Sequence, residues 1–108
     1  MPMRPTLTLL ALLVASTASA DGEGEALLTQ GRQVFLEQAQ PSCSLCHTLR
    51  EAGANGAIGP DLDQLKPDAA RVAAAVSNGV GVMPPFADTL RAEQIRAVAH
   101  YVSSVAGQ

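Results

Sequence analysis

At 108 residues and a formal charge of −3, with seven basic against ten acidic side chains, the chain has room for one domain and lacks the basic surplus that nucleic acid demands. Two Phe, one Tyr and no Trp give little with which to build a large core, and two Cys exclude a multi-disulfide framework. A domain this small, built this way, needs some other staple.

The chain opens with one charge, Arg4, ahead of an apolar run from Leu7 to Ala15 that is too short to span a bilayer. Ala18, Ser19 and Ala20 then put small residues at the usual cleavage positions. Residues 1–20 therefore read as a secretory signal peptide removed after Ala20, with Asp21 as the mature N-terminus and the periplasm as destination. The competing reading is a retained membrane anchor. There is no twin arginine and no cysteine at the cleavage site, so neither folded export nor a lipid anchor is indicated, and no membrane insertion is expected once the leader is gone. Loss of Arg4 leaves six basic and ten acidic residues, a charge of about −4.

Residues 21–25 are acidic and contain Gly, which predicts a flexible segment ahead of a domain over 26–108. From Ala26 a helical pattern begins: Leu27, Leu28, Gly31, Val34 and Phe35 recur at spacings of three and four. Gly31 and Phe35 share a face, and the bare Gly31 would let another helix cross closely. Pro41 ends this element. A short helix is expected from Ser42 to about Leu49, and Arg50 to Pro60, with Gly53, Asn55, Gly56 and Gly59, reads as an irregular loop. A second long helix begins near Pro67 and Asp68, where an acid suits the positive end of the helix dipole. It runs through Val72, Ala75 and Val76 and stops at Asn78 and Gly79. Val80 to Thr89 has no helical period and contains Gly81, Pro84 and Pro85, hence a stiff loop. The last helix, about Arg91 to Val105, should bury Ile95, Val98, Tyr101, Val102 and Val105. Arg91 is a poor cap, so Thr89 or the side chain of Gln94 is expected to serve. No run has strand period, and the fold class is all-α.

The chemistry sits in Cys43-Ser44-Leu45-Cys46-His47. Two cysteines three apart on a helix present both thiols to one edge of a flat ligand, and a histidine directly after the second can swing its imidazole under the ligand's centre. C-x-x-C-H is the attachment pattern of c-type haem, with each thiol adding to a vinyl group and the histidine giving iron one axial nitrogen. A covalently held apolar plate would also be the missing staple, because it binds the folded state preferentially.

A sixth iron ligand decides between electron transfer and open-site chemistry. Met1 and Met3 leave with the leader, so Met83 is the methionine that remains, held on the rigid Gly81-Val82-Met83-Pro84-Pro85 loop. A thioether favours ferrous iron and raises the reduction potential, as an electron carrier requires. The carbonyl of Pro60, in Gly59-Pro60-Asp61-Leu62, is the candidate acceptor for the second ring nitrogen of His47, since a ligating imidazole nearly always donates its other N–H. The competing reading of that stretch is an ordinary turn. His100 is an alternative axial ligand, read first as a surface or satisfied histidine. Arg50 or Lys66 is an alternative partner for a haem propionate, and each is read first as a solvated surface charge.

Taken together, Cys43 to His47, Gly59 to Leu62 and Met83-Pro84, framed by Gly31, Phe35 and Tyr101, resemble the class I cytochrome c family over nearly the whole mature chain. The resemblance implies three main helices around one haem, the first and last crossing at Gly31 and Phe35 against Val98 and Tyr101. It implies His47 and Met83 as axial ligands, no enzymatic activity, and redox-protein partners: a dehydrogenase, a terminal oxidase or another cytochrome. The loop from Gly79 to Leu90 further resembles small periplasmic cytochromes that serve sulfite dehydrogenases. On this reading a partner docks weakly around the haem edge, at Ser44 and Leu45 on one side and Val80, Gly81, Val82, Pro85 and Phe86 on the other. The rivals are a thiol–disulfide exchange enzyme, which needs a βαβ context, a haem enzyme or gas sensor with an open sixth position, and a zinc module, for which the ligands are too few.

Overall fold

A computed structural model of the protein describes residues 1–14 and 20–108. Residues 1–14 carry no regular structure, and Leu7, Leu9, Leu10, Leu12, Leu13 and Val14 are exposed rather than packed on the domain. Ala18 and Ser19, on which the expected cleavage site rests, lie outside the described residues.

Helix α1 spans Ala20–Gln33, so it starts ahead of the predicted Ala26 and takes in the segment 21–25 that the sequence assigned to a flexible lead. Glu23, in the first turn, contributes to the difference, since a carboxylate near a helix start complements its dipole. The chain then widens into one π turn, Val34–Gln38, closed by the Ala39 N–H on Val34 O at 3.0 Å. Helix α2 is only Cys43–Cys46; the predicted extension to Leu49 is replaced by β1, Thr48–Leu49. After a 3₁₀ turn at Arg50–Ala52, β2, Ala54–Asn55, returns antiparallel, pairing Thr48 with Asn55 and Leu49 with Ala54. The expectation of no strand and an irregular 50–60 loop is thus corrected. Gly53, at φ 65, makes the reversal possible, and the alternation that buries Leu49 and Ala54 fixes the register. Two-residue strands are too short to write a period into the sequence.

Helix α3, Leu62–Leu65, was not predicted; Asp61 caps it, accepting from the N–H groups of Asp63 and Gln64. Helix α4 spans Ala69–Asn78, capped by Asp68 through the Arg71 N–H at 2.8 Å and closed by Gly79 at φ 74. Helix α5 spans Ala92–Val105, and its weak start is repaired by Gln94, whose Oε1 accepts from the Arg91 N–H at 2.8 Å. Thr89 does not take that role; its hydroxyl faces Phe86 O.

The core forms where α1 crosses α5. A Cβ at Gly31 would run into Ala97 O and Tyr101 Cβ, so the absent side chain sets how closely the helices approach. Val34, Phe35, Val98 and Tyr101 are each 1% exposed around that contact. Phe35 and Tyr101 meet edge to face, centroids 6.1 Å apart, worth about 0.5–1.5 kcal/mol beyond the area they bury. Val105, expected inside, is half-buried. The Tyr101 hydroxyl donates to Glu51, which Arg32 approaches at 3.7 Å, and burial together with that carboxylate pushes the phenol above its ordinary range. The crossing is thereby tied to the turn after β1.

A second bolt is Asp63, a buried carboxylate. It accepts from the Arg50 and Gly107 N–H groups, each at 2.9 Å, linking α3 to the hairpin and to the C-terminal residues. Hydrogen bonds from Gly107 and then Arg50 hold its carboxyl below the ordinary value.

Candidate haem site

Ser42 begins the site. Its Oγ lies 3.0 Å from Phe35 O and 3.1 Å from Leu36 O while accepting from the Ser44 N–H, so it anchors α2 to the end of the first helical segment. The single turn of α2 sets Cys43 and Cys46 on one edge, and both thiols are free. Burial pushes the Cys43 thiol up to about 11, leaving it protonated at neutral pH. A thiol–disulfide exchange site needs the reverse, a stabilised thiolate.

His47 leaves the helix in extended conformation, at φ −114 and ψ 142. Its Nδ1 lies 2.7 Å from Pro60 O. A carbonyl only accepts, so Nδ1 carries the proton and Nε2 keeps its lone pair for a metal. Two glycines build this arrangement. A Cβ at Gly59 would stand 2.7 Å from His47 Cε1, and one at Gly56 would meet the Cys46 and His47 backbone. Their N–H groups close the loop onto the motif, Gly59 to Cys46 O at 2.7 Å and Gly56 to His47 O at 3.2 Å. Sequence reasoning placed Gly59 in a motif without this steric role. The signal for it was the Gly-Pro pair itself, a flat Cα beside a fixed carbonyl.

Met83 arrives on a tight reversal in which Val80 and Met83 exchange backbone hydrogen bonds of 3.1 and 2.9 Å. Gly79 and Gly81 hold positive φ, 74 and 56. A Cβ at Gly79 would meet Met83 O at 2.7 Å and Pro85 N at 2.9 Å. The Phe86 N–H then bonds Val76 O at 2.8 Å, which pins the end of this loop to α4. The Met83 side chain is half-buried against the core.

These segments enclose one cavity of about 400 Å³. Cys43, Cys46, His47, Pro60 and Met83 all line it, and Phe35, Leu62, Val72, Val76, Val98 and Val102 supply apolar wall. Leu45, Ile58, Val80 and Val82 stand exposed. Phe86, assigned by sequence to the docking surface, is instead buried at 4% exposure, because its backbone bond to Val76 turns the ring inward; Ser44 is half-buried. His100 lines a separate groove with Leu27 and Arg96, away from Met83. Arg50 and Lys66 do not line the cavity: Arg50 donates to Gln108 O, and Lys66 lies along Gly107. Arg71, which sequence reasoning passed over, does line it.

The donor set fits a c-type haem: two thiols on one edge, an imidazole with a free Nε2, a thioether, and an apolar pocket for the plate. Among the described residues no group of three or more His, Cys, Asp or Glu is placed to hold a metal ion. A porphyrin brings four equatorial nitrogens of its own, so one imidazole and one thioether complete its iron.

Residues 26–102 match the family model described as cytochrome c oxidase, cbb3-type, subunit III. The chain belongs to this cytochrome c family. A solved structure, the c-type cytochrome SorU from Sinorhizobium meliloti, is 56% identical, with a TM-score of 0.76 over 78% of this chain and 95% of that one. No curated protein matches. The cytochrome's all-α fold and its cofactor, a covalently bound haem c with iron, follow from that membership, and so does its work as an electron-transfer protein. Among the described residues no helix of the cytochrome is long and apolar enough to cross a membrane.

Proposed function

We propose that this cytochrome is a periplasmic carrier that takes and gives one electron at a time without binding a substrate at iron, and is not itself an enzyme. The observation carrying this is the convergence of Cys43, Cys46, His47 and Met83 on one apolar cavity from two separate segments. Cys43 and Cys46 would hold the haem by thioether bonds, and His47 and Met83 would supply the two protein ligands to its iron. When bound, the haem supplies a one-electron change at iron.

The residues do the rest. Pro60 O keeps the His47 proton on Nδ1 and its lone pair aimed away. The reversal closed between Val80 and Met83 fixes the Met83 backbone at the cavity without using its side chain. The apolar wall excludes water, which favours a thioether over a solvent ligand. An open sixth position, the rival reading, leaves the stiff loop around Met83 without purpose.

The exposed Leu45, Ile58, Val80 and Val82 suit a weak, rapidly exchanged contact with a redox protein partner. The likeness of the 79–90 loop to cytochromes serving sulfite dehydrogenases makes such a dehydrogenase the partner to try first. The unpacked apolar segment from Leu7 to Val14 supports residues 1–20 as the export signal.

The test is the mature periplasmic product. An intact mass above that of bare polypeptide by one haem, a haemochrome spectrum of the c type and a reversible one-electron titration are expected. Cys43→Ala with Cys46→Ala should give a colourless, poorly folded chain. A wild-type product with the mass of bare protein sinks the proposal.

A further inference from the structure

One charged side chain on the cavity wall has no part in the assignments above. Arg71 lies in the first turn of α4, and its backbone N–H is taken by the Asp68 cap. Ala75, four residues on, shares its strip of the helix, and Arg71, Val72, Ala75 and Val76 line the cavity together. Among the described residues its guanidinium has no hydrogen-bond or ion-pair partner, whereas Arg32 approaches Glu51 and Arg91 pairs with Glu93.

A haem is apolar except at two propionate groups, and a carboxylate set against an apolar wall requires a donor. The other polar side chains on the wall are already engaged. The Ser42 hydroxyl is directed at the Phe35 and Leu36 carbonyls, the His47 Nδ1 proton is held by Pro60, and Cys43 and Cys46 are the attachment points. Arg71 is what is left. Its aliphatic stem can lie along the wall beside Val72 while the planar head stays at the rim, and a guanidinium matches a carboxylate with two parallel hydrogen bonds.

We infer that Arg71 is a haem-binding residue whose guanidinium pairs with a propionate. The inference rests on the proposed haem site. The pairing holds that propionate ionised and places a fixed positive charge beside the haem, which favours the ferrous form. Of the other ionisable groups, Asp68 accepts from the Arg71 N–H as the α4 cap, and His47, held by Pro60, lines the same cavity.

The experiment is a spectroelectrochemical titration of holo wild type, Arg71→Gln and Arg71→Lys from acid to mildly alkaline pH. Arg71 is exposed, and equal thermal unfolding of the three proteins would show that the fold is kept. Arg71→Gln should lower the potential at neutral pH and move the pH-dependent step of the potential upward by about one unit, a tenfold loss of propionate acidity. Arg71→Lys, which keeps the charge but not the two parallel hydrogen bonds, should restore part of both. A coloured, folded Arg71→Gln with wild-type potential and an unmoved step overturns the assignment while leaving the haem site standing. A wild type without haem overturns both.

Discussion

His47 Nδ1 and Pro60 O stand 2.7 Å apart, and Gly59, next to that carbonyl, lies flat against the imidazole ring. On the proposed ligation, the hydrogen bond raises the basicity of Nε2, and a more basic donor stabilises ferric iron. Gly59→Ala puts a methyl 2.7 Å from Cε1, so ring and carbonyl must part. Losing a bond worth about 1 kcal/mol should raise the reduction potential by roughly tens of millivolts, a few-fold in the redox equilibrium. Redox titration of the holoprotein reads this directly. A potential that stays put would mean that the carbonyl does not tune the iron.

Gly31 and Gly24 both lie in α1, yet they should respond oppositely to the same change. Ala is favoured over Gly in a helix by about 1 kcal/mol. At Gly24 nothing lies within 4 Å of an added Cβ, so Gly24→Ala should stabilise by up to that amount. At Gly31 the methyl meets Ala97 O and Tyr101 Cβ, which are backbone and the base of a buried side chain rather than a flexible tip. Overpacking of that kind costs about 1–3 kcal/mol, and here the helices themselves must separate, so a net loss of roughly 2 kcal/mol is expected for Gly31→Ala. Denaturant midpoints of the two holo variants, at unchanged slope, give the comparison. A stabilised Gly31→Ala would mean that this crossing is not tightly packed.

What could be read ahead of the structure follows from how each feature is written. The long helices carry 3.6-residue periods and explicit ends, such as Asp68 before and Gly79 after α4, and so were legible. That Cys43, Cys46, His47 and Met83 line one cavity could be anticipated because the first three stand together in sequence and Met83 is braced by prolines. The Thr48–Leu49 and Ala54–Asn55 pair was not, since a two-residue strand has no period and is held by Gly53 and the burial of Leu49. Phe86 and Arg71 were misread or missed for a common reason. Which way each faces is set by contacts made elsewhere, the Val76 carbonyl for one and the Asp68 cap for the other.

Asp63 should give the fold part of its acid sensitivity. Its carboxyl is held below 3.8 mainly by the Gly107 N–H, so at low pH the unfolded chain binds its proton first. The stabilisation it brings is complete above the ordinary carboxylate value and is lost as pH falls through the folded value. Asn at this position keeps one accepting oxygen but turns an N–H₂ toward the second backbone N–H. Asp63→Asn should therefore be less stable at neutral pH, with a flatter decline below about pH 4. Denaturant unfolding of both holoproteins across that range checks it. Parallel profiles would show that Asp63 does not contribute to acid unfolding.

Met83 carries the distinction between a carrier and an open-site haem protein. The turn that presents it is closed by backbone bonds between Val80 and Met83 and by Gly79 and Gly81, none of which involves the side chain. Met83→Ala should leave the reversal and the Cys43 and Cys46 attachments in place, and remove the thioether together with its share of the cavity wall. The apolar pocket then has no internal donor for the sixth position. On the proposed ligation the ferrous form would lose the ligand that favours it, and the potential should fall by on the order of a hundred millivolts or more, a fair part of the ~0.8 V over which axial ligands tune haem. Carbon monoxide should bind the reduced variant at neutral pH and leave the reduced wild type untouched. If the wild type took up carbon monoxide equally well, Met83 would be a packing residue and the sixth position open.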